Sequence, residues 1–343
     1  MRTLPPTRVP TPGDAPGLKW GIIAPGGIAN RFARAIRAHT RQEIAAVGSR
    51  SLERAQQFAE RYQIEKAYGS YEELVADPEV QAIYVSSPHS QHCEQALLSI
   101  AGGKHVLVEK AFARNAADGQ LMVDAARQAG VALMEAMWTR FLPGIDIIRQ
   151  LLADGALGDI RLVAADHGQD LRHVPRLLDP DTAGGALLDL GVYVISFAAF
   201  ALGQPGAITA RGSLLDSGVD AQEAMILNGY AAHPGAEAVL HATMSARTPT
   251  TAIICGTDGR IELDSDFYTP QPVHFIAPDN TRLTSPSPRV HLHQALCYEA
   301  EHFATMVAEG RTESEWLPLE ETLEILRTMD EVRAQLGVRF PGE

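Results

Sequence analysis

Between residues 18 and 137, short β-branched runs alternate with stretches whose apolar residues recur at helical spacing, and this alternation confines that part of the chain to a parallel sheet with helices on both faces. The first repeat is the clearest: residues 19–24 read as a strand, Pro25-Gly26-Gly27-Ile28-Ala29 as a glycine turn, and residues 30–38 as an amphipathic helix. Further strands are expected at 43–48, 82–86, 106–110 and 131–135, with helices at 89–101 and, capped by Asn115, at 116–129. After Trp138 the pattern changes. Strand-like runs at 160–167, 207–213, 224–231, 236–245 and 251–255 follow one another with few helices between, Thr257-Asp258-Gly259-Arg260 has the form of a hairpin turn, and 291–309 and 319–336 have amphipathic helical spacing.

A glycine turn between strand and helix lets the backbone approach a pyrophosphate, while the helix start offers unpaired N–H groups and a partial positive charge. The segment Ala24-Pro25-Gly26-Gly27-Ile28-Ala29 follows the dinucleotide fingerprint G-x-G-x-x-A except at its first glycine. The expected fold class is therefore α/β: a doubly wound Rossmann domain over 18–137, preceded by a flexible arm at 1–17, then an α+β domain over 138–343 with a large, mainly antiparallel sheet. The second strand ends in Ser49-Arg50-Ser51-Leu52-Glu53-Arg54, with no acid to bond ribose hydroxyls. Arg50 and Arg54, with the Ser49 hydroxyl, are candidates for a 2′-phosphate, so NADP is favoured over NAD; the alternative is that both arginines are solvated helix residues.

In such sheets ligands sit beyond the carboxyl ends of the strands, which places Lys110 toward a ligand. Much later the chain runs Gly184-Gly185-Ala186-Leu187-Leu188-Asp189-Leu190-Gly191-Val192-Tyr193, where Asp189 and Tyr193 share a face if the segment is helical. An amine, a carboxylate and a phenol suit proton transfer.

The chain resembles the Gfo/Idh/MocA oxidoreductases from Leu18 onward. The resemblance is carried by Trp20-Gly21-Ile22-Ile23, Ala67 to Leu74, Pro88-His89-Ser90-Gln91-His92, Glu109-Lys110, Met134 to Phe141, His173-Val174-Pro175-Arg176 and Gly184 to Tyr193. Two features depart from the commonest family pattern: Ala111 stands where a proline usually follows the lysine, and Tyr193 stands where many members have histidine, as in the branch acting on sugars and diols. The resemblance implies reversible hydride transfer between a nicotinamide and a carbinol carbon of a sugar, polyol or trans-dihydrodiol. Tyr193 would move the hydroxyl proton, Lys110 would lower the cost of the phenolate, and Asp189 would orient Lys110 or a substrate hydroxyl. Ser87, Pro88, His89, His92 and Glu109 join Lys110 as cofactor candidates, although helix-start solvation accounts for the histidines almost as well. Two alternatives stand beside this reading: a regulator that binds dinucleotide without turnover, and a sugar-sugar oxidoreductase that keeps its NADP bound.

Trp138 offers an aromatic face for a sugar or dihydrodiol ring, or else packs in the core. Arg161, His173 and Arg176 could bind substrate hydroxyls, with surface charge the simpler reading of each. His291 and His293 lack a third ligand, so no metal site is expected. A net charge of -13 with no Lys/Arg run argues against nucleic acid or anionic membrane as the main partner, and no apolar stretch reads as long enough to span a bilayer. Cys93, Cys255 and Cys297 are widely spaced, consistent with free thiols and a cytoplasmic setting. The many strands and few helices of the second domain predict a homodimer or higher assembly through its sheet.

Overall fold

The computed structural model describes residues 3–343. It divides into two compact units: Pro10–Phe141 with Leu292–Leu323, and Leu142–His291 with Glu324–Glu343 and the residues up to Val9. The division is less simple than a single cut at 137, because 292–323 count with the nucleotide-binding unit.

In that unit β1 (Lys19–Ile23), β2 (Glu43–Gly48), β3 (Lys66–Tyr68), β4 (Ala82–Val85), β5 (His105–Glu109) and β6 (Leu133–Ala136) form a sheet in the order β3-β2-β1-β4-β5-β6. All its pairings are parallel, and the order reverses between β1 and β4, the switch point at which such sheets bind ligands. The central strands are buried, as their unbroken apolar runs require. Ser51, Ser70 and Asn115 cap their helices, each side chain accepting the backbone N–H three residues on. Trp20, Phe32, Tyr84 and Phe303 knit the core, with Phe32 and Tyr84 stacked at 3.9 Å. Periodicity missed β3, a three-residue edge strand too short to carry a pattern.

The second sheet contains β7 (Ile160–Gly168), β8 (Ala207–Leu214), β9 (Asp220–Asn228), β10 (Glu237–Thr243), β11 (Ala252–Gly256), β12 (Arg260–Leu263), β13 (His274–Ile276) and β14 (Arg282–Thr284). Its order is β14-β13-β12-β11-β7-β10-β9-β8, and only β7 and β10 pair in parallel. The helix Val192–Leu202 is almost entirely apolar and buried. One sequence expectation is corrected here. Pro180–Leu202, at 23 residues, is long and apolar enough to cross a membrane, yet 89% of its apolar window lies inside the protein, as in a core helix.

The arm expected to be flexible is tied down at Arg8, Gly13 and Ala15. Arg8 donates through Nη2 to the buried carboxylate of Asp146 at 2.7 Å and through its backbone N–H at 2.6 Å. Gly13 and Ala15 donate their N–H groups to Glu301 Oε2 at 2.8 and 3.0 Å.

Candidate active site

The nucleotide-binding unit contributes a phosphate cradle. Its first helix, Gly27–His39, starts at Gly26 with no side-chain cap and no acid in the first turn, leaving its opening N–H groups available. Ala24 holds φ +61°, the left-handed conformation that the missing first glycine would adopt easily, and its carbonyl accepts the Gly26 N–H at 2.7 Å. A Cβ on Gly27 would meet nothing within 4 Å. No neighbouring protein atom accounts for the absence of a side chain there, whereas a pyrophosphate laid on Pro25, Gly26, Gly27, Ile28 and Ala29 would use that space. Ser87, just beyond β4, has a buried Oγ with no hydrogen-bond partner in the structure. Both observations fit a dinucleotide.

At the end of β2, Arg50 and Arg54 are exposed while Ser49 is buried. Burial raises the Tyr71 phenol, and the charges of Arg50 and Arg54, with a hydrogen bond from Arg50, oppose the rise. Two guanidinium groups and a phenol therefore gather just beyond the end of β2. Tyr71 escaped the sequence reading because nothing in the pattern ties the residue after the Ser70 cap to the end of β2.

His89 and His92 fare differently from the expectation. His92 is wholly buried, with Nδ1 at 2.9 Å from the Ala111 carbonyl and Nε2 at 2.8 Å from that of Ser87. Burial, helped by the Lys110 charge, lowers its pKa to about 4, so the ring is neutral and donates its single N–H to one of these two carbonyls, which lie on the loops after β4 and β5. Its ring is packed against backbone on both of its nitrogens. His89 is also buried, edge-on to the His92 ring.

Lys110 follows β5, and its backbone N–H donates to Glu109 Oε2 at 3.2 Å. The Tyr84 hydroxyl donates to Glu109, and the Phe112 N–H donates to Glu135 Oε1 at 3.0 Å. Burial lifts Glu135 to about 7, and Glu299 is driven well above the carboxylate range by burial and by Glu109 and Glu135. A carboxyl group that titrates near neutral pH thus accepts from the loop that carries Lys110. Trp138 is only 3% exposed and stacks on His293 at 5.5 Å, and the His293 Nε2 lies 2.7 Å from Arg31 Nη1. Burial and the charges of Arg31 and Lys110 hold His293 near pKa 4. His293, read from sequence as an ordinary helix residue, belongs to this environment, and one face of Trp138 is already covered by it.

Asp189 and Tyr193 lie in the other unit. Asp189 lies in a π-helical turn, Leu187–Gly191, and Tyr193 in the first turn of the α-helix that continues from it. The segment is not a regular α-helix, and π-bulges of this kind often mark functional positions. Arg176 Nη2 donates to Asp189 Oδ1 at 3.0 Å, so two of the expected residues are brought together. Tyr193, 8% exposed, lies against the rings of His167 at 5.2 Å and Tyr268 at 4.9 Å. Gln169 Nε2 donates to His167 Nε2 at 3.0 Å and to the Tyr268 hydroxyl at 3.3 Å. His167, Gln169 and Tyr268 were not found from sequence, since only the sheet brings the end of β7 and the loop after β12 beside Tyr193.

Arg161 and His173 do not join this group. Arg161 pairs with Asp159 at 2.8 Å on the surface, near the opposite end of β7 from His167, and His173 is exposed. Both are surface charges. Among the described residues no three His, Cys, Asp or Glu side chains gather as a metal site, and Cys93, Cys255 and Cys297 are free thiols.

Comparison with known proteins agrees with this architecture. Residues 18–137 match the model of the Gfo/Idh/MocA oxidoreductase family with an NAD-binding Rossmann fold, and residues 145–262 match the C-terminal domain of the same family. The chain is 37% identical over 334 residues to trans-1,2-dihydrobenzene-1,2-diol dehydrogenase from Xenopus tropicalis, covering 94% of this chain and 99% of the relative. The human enzyme of that name is 36% identical, with 95% and 99% covered. A 3-ketoreductase from Actinomadura kijaniata, solved with NADP and TDP-benzene, superposes with a TM-score of 0.81 at 28% identity, covering 94% of this chain and 98% of that one. Levoglucosan dehydrogenase shares the fold, with a TM-score of 0.82 at 20% identity over 94% of this chain and 98% of its own. With both of its domains matched and full-length relatives at this identity, the chain belongs to the Gfo/Idh/MocA family of oxidoreductases.

Proposed function

We propose that this enzyme is an NADP-dependent dehydrogenase that oxidises a secondary alcohol in a trans-dihydrodiol or a cyclic sugar, and runs in reverse as a reductase. The observation that carries the reading is the setting of Tyr193, a phenol held against His167 and Tyr268 beside an Asp189 fixed by Arg176. Bound NADP supplies the hydride acceptor. The protein supplies the proton path and the orientation. Tyr193 takes the hydroxyl proton as the alcohol becomes a carbonyl, Lys110 supplies the positive charge that makes a phenolate accessible near neutral pH, and Asp189 accepts a hydrogen bond from a neighbouring substrate hydroxyl. The aromatic rings around Tyr193 suit the apolar face of a dihydrodiol or pyranose.

The Arg50, Arg54 and Tyr71 group supports NADP over NAD, and the names of the relatives support the substrate class. The test is NADPH formation at neutral to alkaline pH with trans-1,2-dihydrobenzene-1,2-diol, D-xylose and levoglucosan. Turnover of one or more of these with NADP and little with NAD is expected. No turnover of any diol or sugar, with tight NADP binding, would replace this reading by that of a regulator.

A further inference from the structure

Two wholly buried carboxyls support the π-helical turn from below, and nothing in the chemistry so far employs them. Asp220 opens β9 and Glu223 stands three residues on; both are 0% exposed. Asp220 Oδ2 accepts the Leu187 N–H, the first residue of the turn, at 2.6 Å. A Cβ on Gly185 would fall 2.2 Å from Asp220 Oδ1, and one on Gly191 would fall 2.8 Å from Glu223 Oε1. The glycines on either side of the Leu-Leu-Asp-Leu segment are therefore bare because carboxyl oxygens fill the space their side chains would need, and Gly185 also holds φ +106°. One carboxyl is fixed at the entry of the turn and the other lies against its exit.

Two adjacent carboxylates cannot both stay ionised in such surroundings. Burial raises both groups, Glu223 well above the carboxylate range, and the charge of Asp220 pushes Glu223 further up. Glu223 is therefore the member that keeps its proton, close enough to Asp220 to offer it as a donor, which leaves one negative charge to receive the Leu187 N–H. We propose that Asp220 and Glu223 form a proton-sharing carboxyl pair whose task is to fix the π-helical turn, making both of them positioning residues for Asp189 and Tyr193. The inference rests on the reading of Tyr193 as the proton carrier.

Three variants of the full-length enzyme test it, each read by hydrogen exchange over residues 187–193 and by kcat and KM for NADP with the diol and sugar probes. Glu223→Gln keeps a donor toward Asp220 and should stay within about twofold of the parent in exchange and kcat. Glu223→Ala removes the donor to a buried charge, so exchange in the turn should quicken about tenfold and kcat fall about tenfold, with KM for NADP unchanged. Gly191→Ala, which drives a methyl group at the Glu223 carboxyl, should repeat that pattern, and it decides the matter if Glu223→Ala does not fold. Parental exchange and kcat in a folded Glu223→Ala or in Gly191→Ala would overturn the proposal, as would a Glu223→Gln as impaired as the alanine. Tyr193→Phe made alongside separates the two readings. Full turnover by that variant defeats the proposed chemistry, while the exchange data still judge the turn; an inactive Tyr193→Phe beside an unaffected Glu223→Ala defeats the positioning role alone.

Discussion

The proposed choice of NADP over NAD rests on Arg50. It stands with Arg54 beside Tyr71, where a ribose phosphate would meet two positive charges. Arg50→Asp replaces a charge-assisted contact by repulsion, and the preference for NADP over NAD should fall at least tenfold in kcat/KM ratios; an unchanged preference would show that the cofactor phosphate is bound elsewhere. Arg50, Lys110 and Tyr193 could be singled out as candidates because strand ends and glycine-flanked segments stand out locally in the sequence. His167 and Tyr268 could not, because their role comes from sheet pairing that sequence spacing does not encode. Arg161 stayed open between substrate and surface for a related reason, since a charge near a strand start gives no sign of which end of the sheet it occupies; its surface pair with Asp159 matches the simpler reading.

The segments themselves were read from periodicity, and their departures from regularity are where that reading gave out. Asp189 and Tyr193 were read as sharing a face if their segment is helical; Asp189 lies in a π turn, a form that an apolar sequence does not distinguish from α. The buried carboxyls Asp220, Glu223, Glu135 and Glu299 were invisible for a similar reason, since a lone acid in a strand or helix reads as a solvated face. Glu135, in β6, makes a test of its own. Burial raises its carboxyl from an ordinary 4.5 to about 7, so the folded protein holds this proton more tightly than the unfolded chain does. The resulting stabilisation is full below pH 4.5 and is lost as pH rises through about 7, amounting to roughly 3 kcal/mol from this one group. Glu135→Gln cannot lose a proton. Its stability by chemical denaturation should therefore fall less than that of the parent between pH 5 and 8, and parallel pH profiles would mean that Glu135 is not protonated in the fold.

For the molecule as a whole, the two-domain division and the sheet types were anticipated from the change in pattern after Trp138, while the return of 292–323 to the nucleotide-binding unit was not, since nothing local to a helix names the partner it packs on. The second sheet leaves Ile226 and Val239, neighbours in register on β9 and β10, 45% and 46% exposed. We propose that this face pairs with a second copy of the chain. Sedimentation at micromolar concentration should give a dimer or larger, and Ile226→Asp should weaken association on the order of 30-fold; a parental enzyme that sediments as a monomer would refute the pairing.

The most direct test of the chemistry compares Tyr193→Phe, Lys110→Met and the double variant in turnover with NADP, beside melting temperature and NADP binding. If the phenol carries the proton and the lysine charge serves the same step, Tyr193→Phe should lose about 10² to 10⁴ in kcat with its fold and NADP affinity intact, and the double variant should lose far less than the product of the two single losses. A folded Tyr193→Phe that turns over at the parental rate would contradict the account.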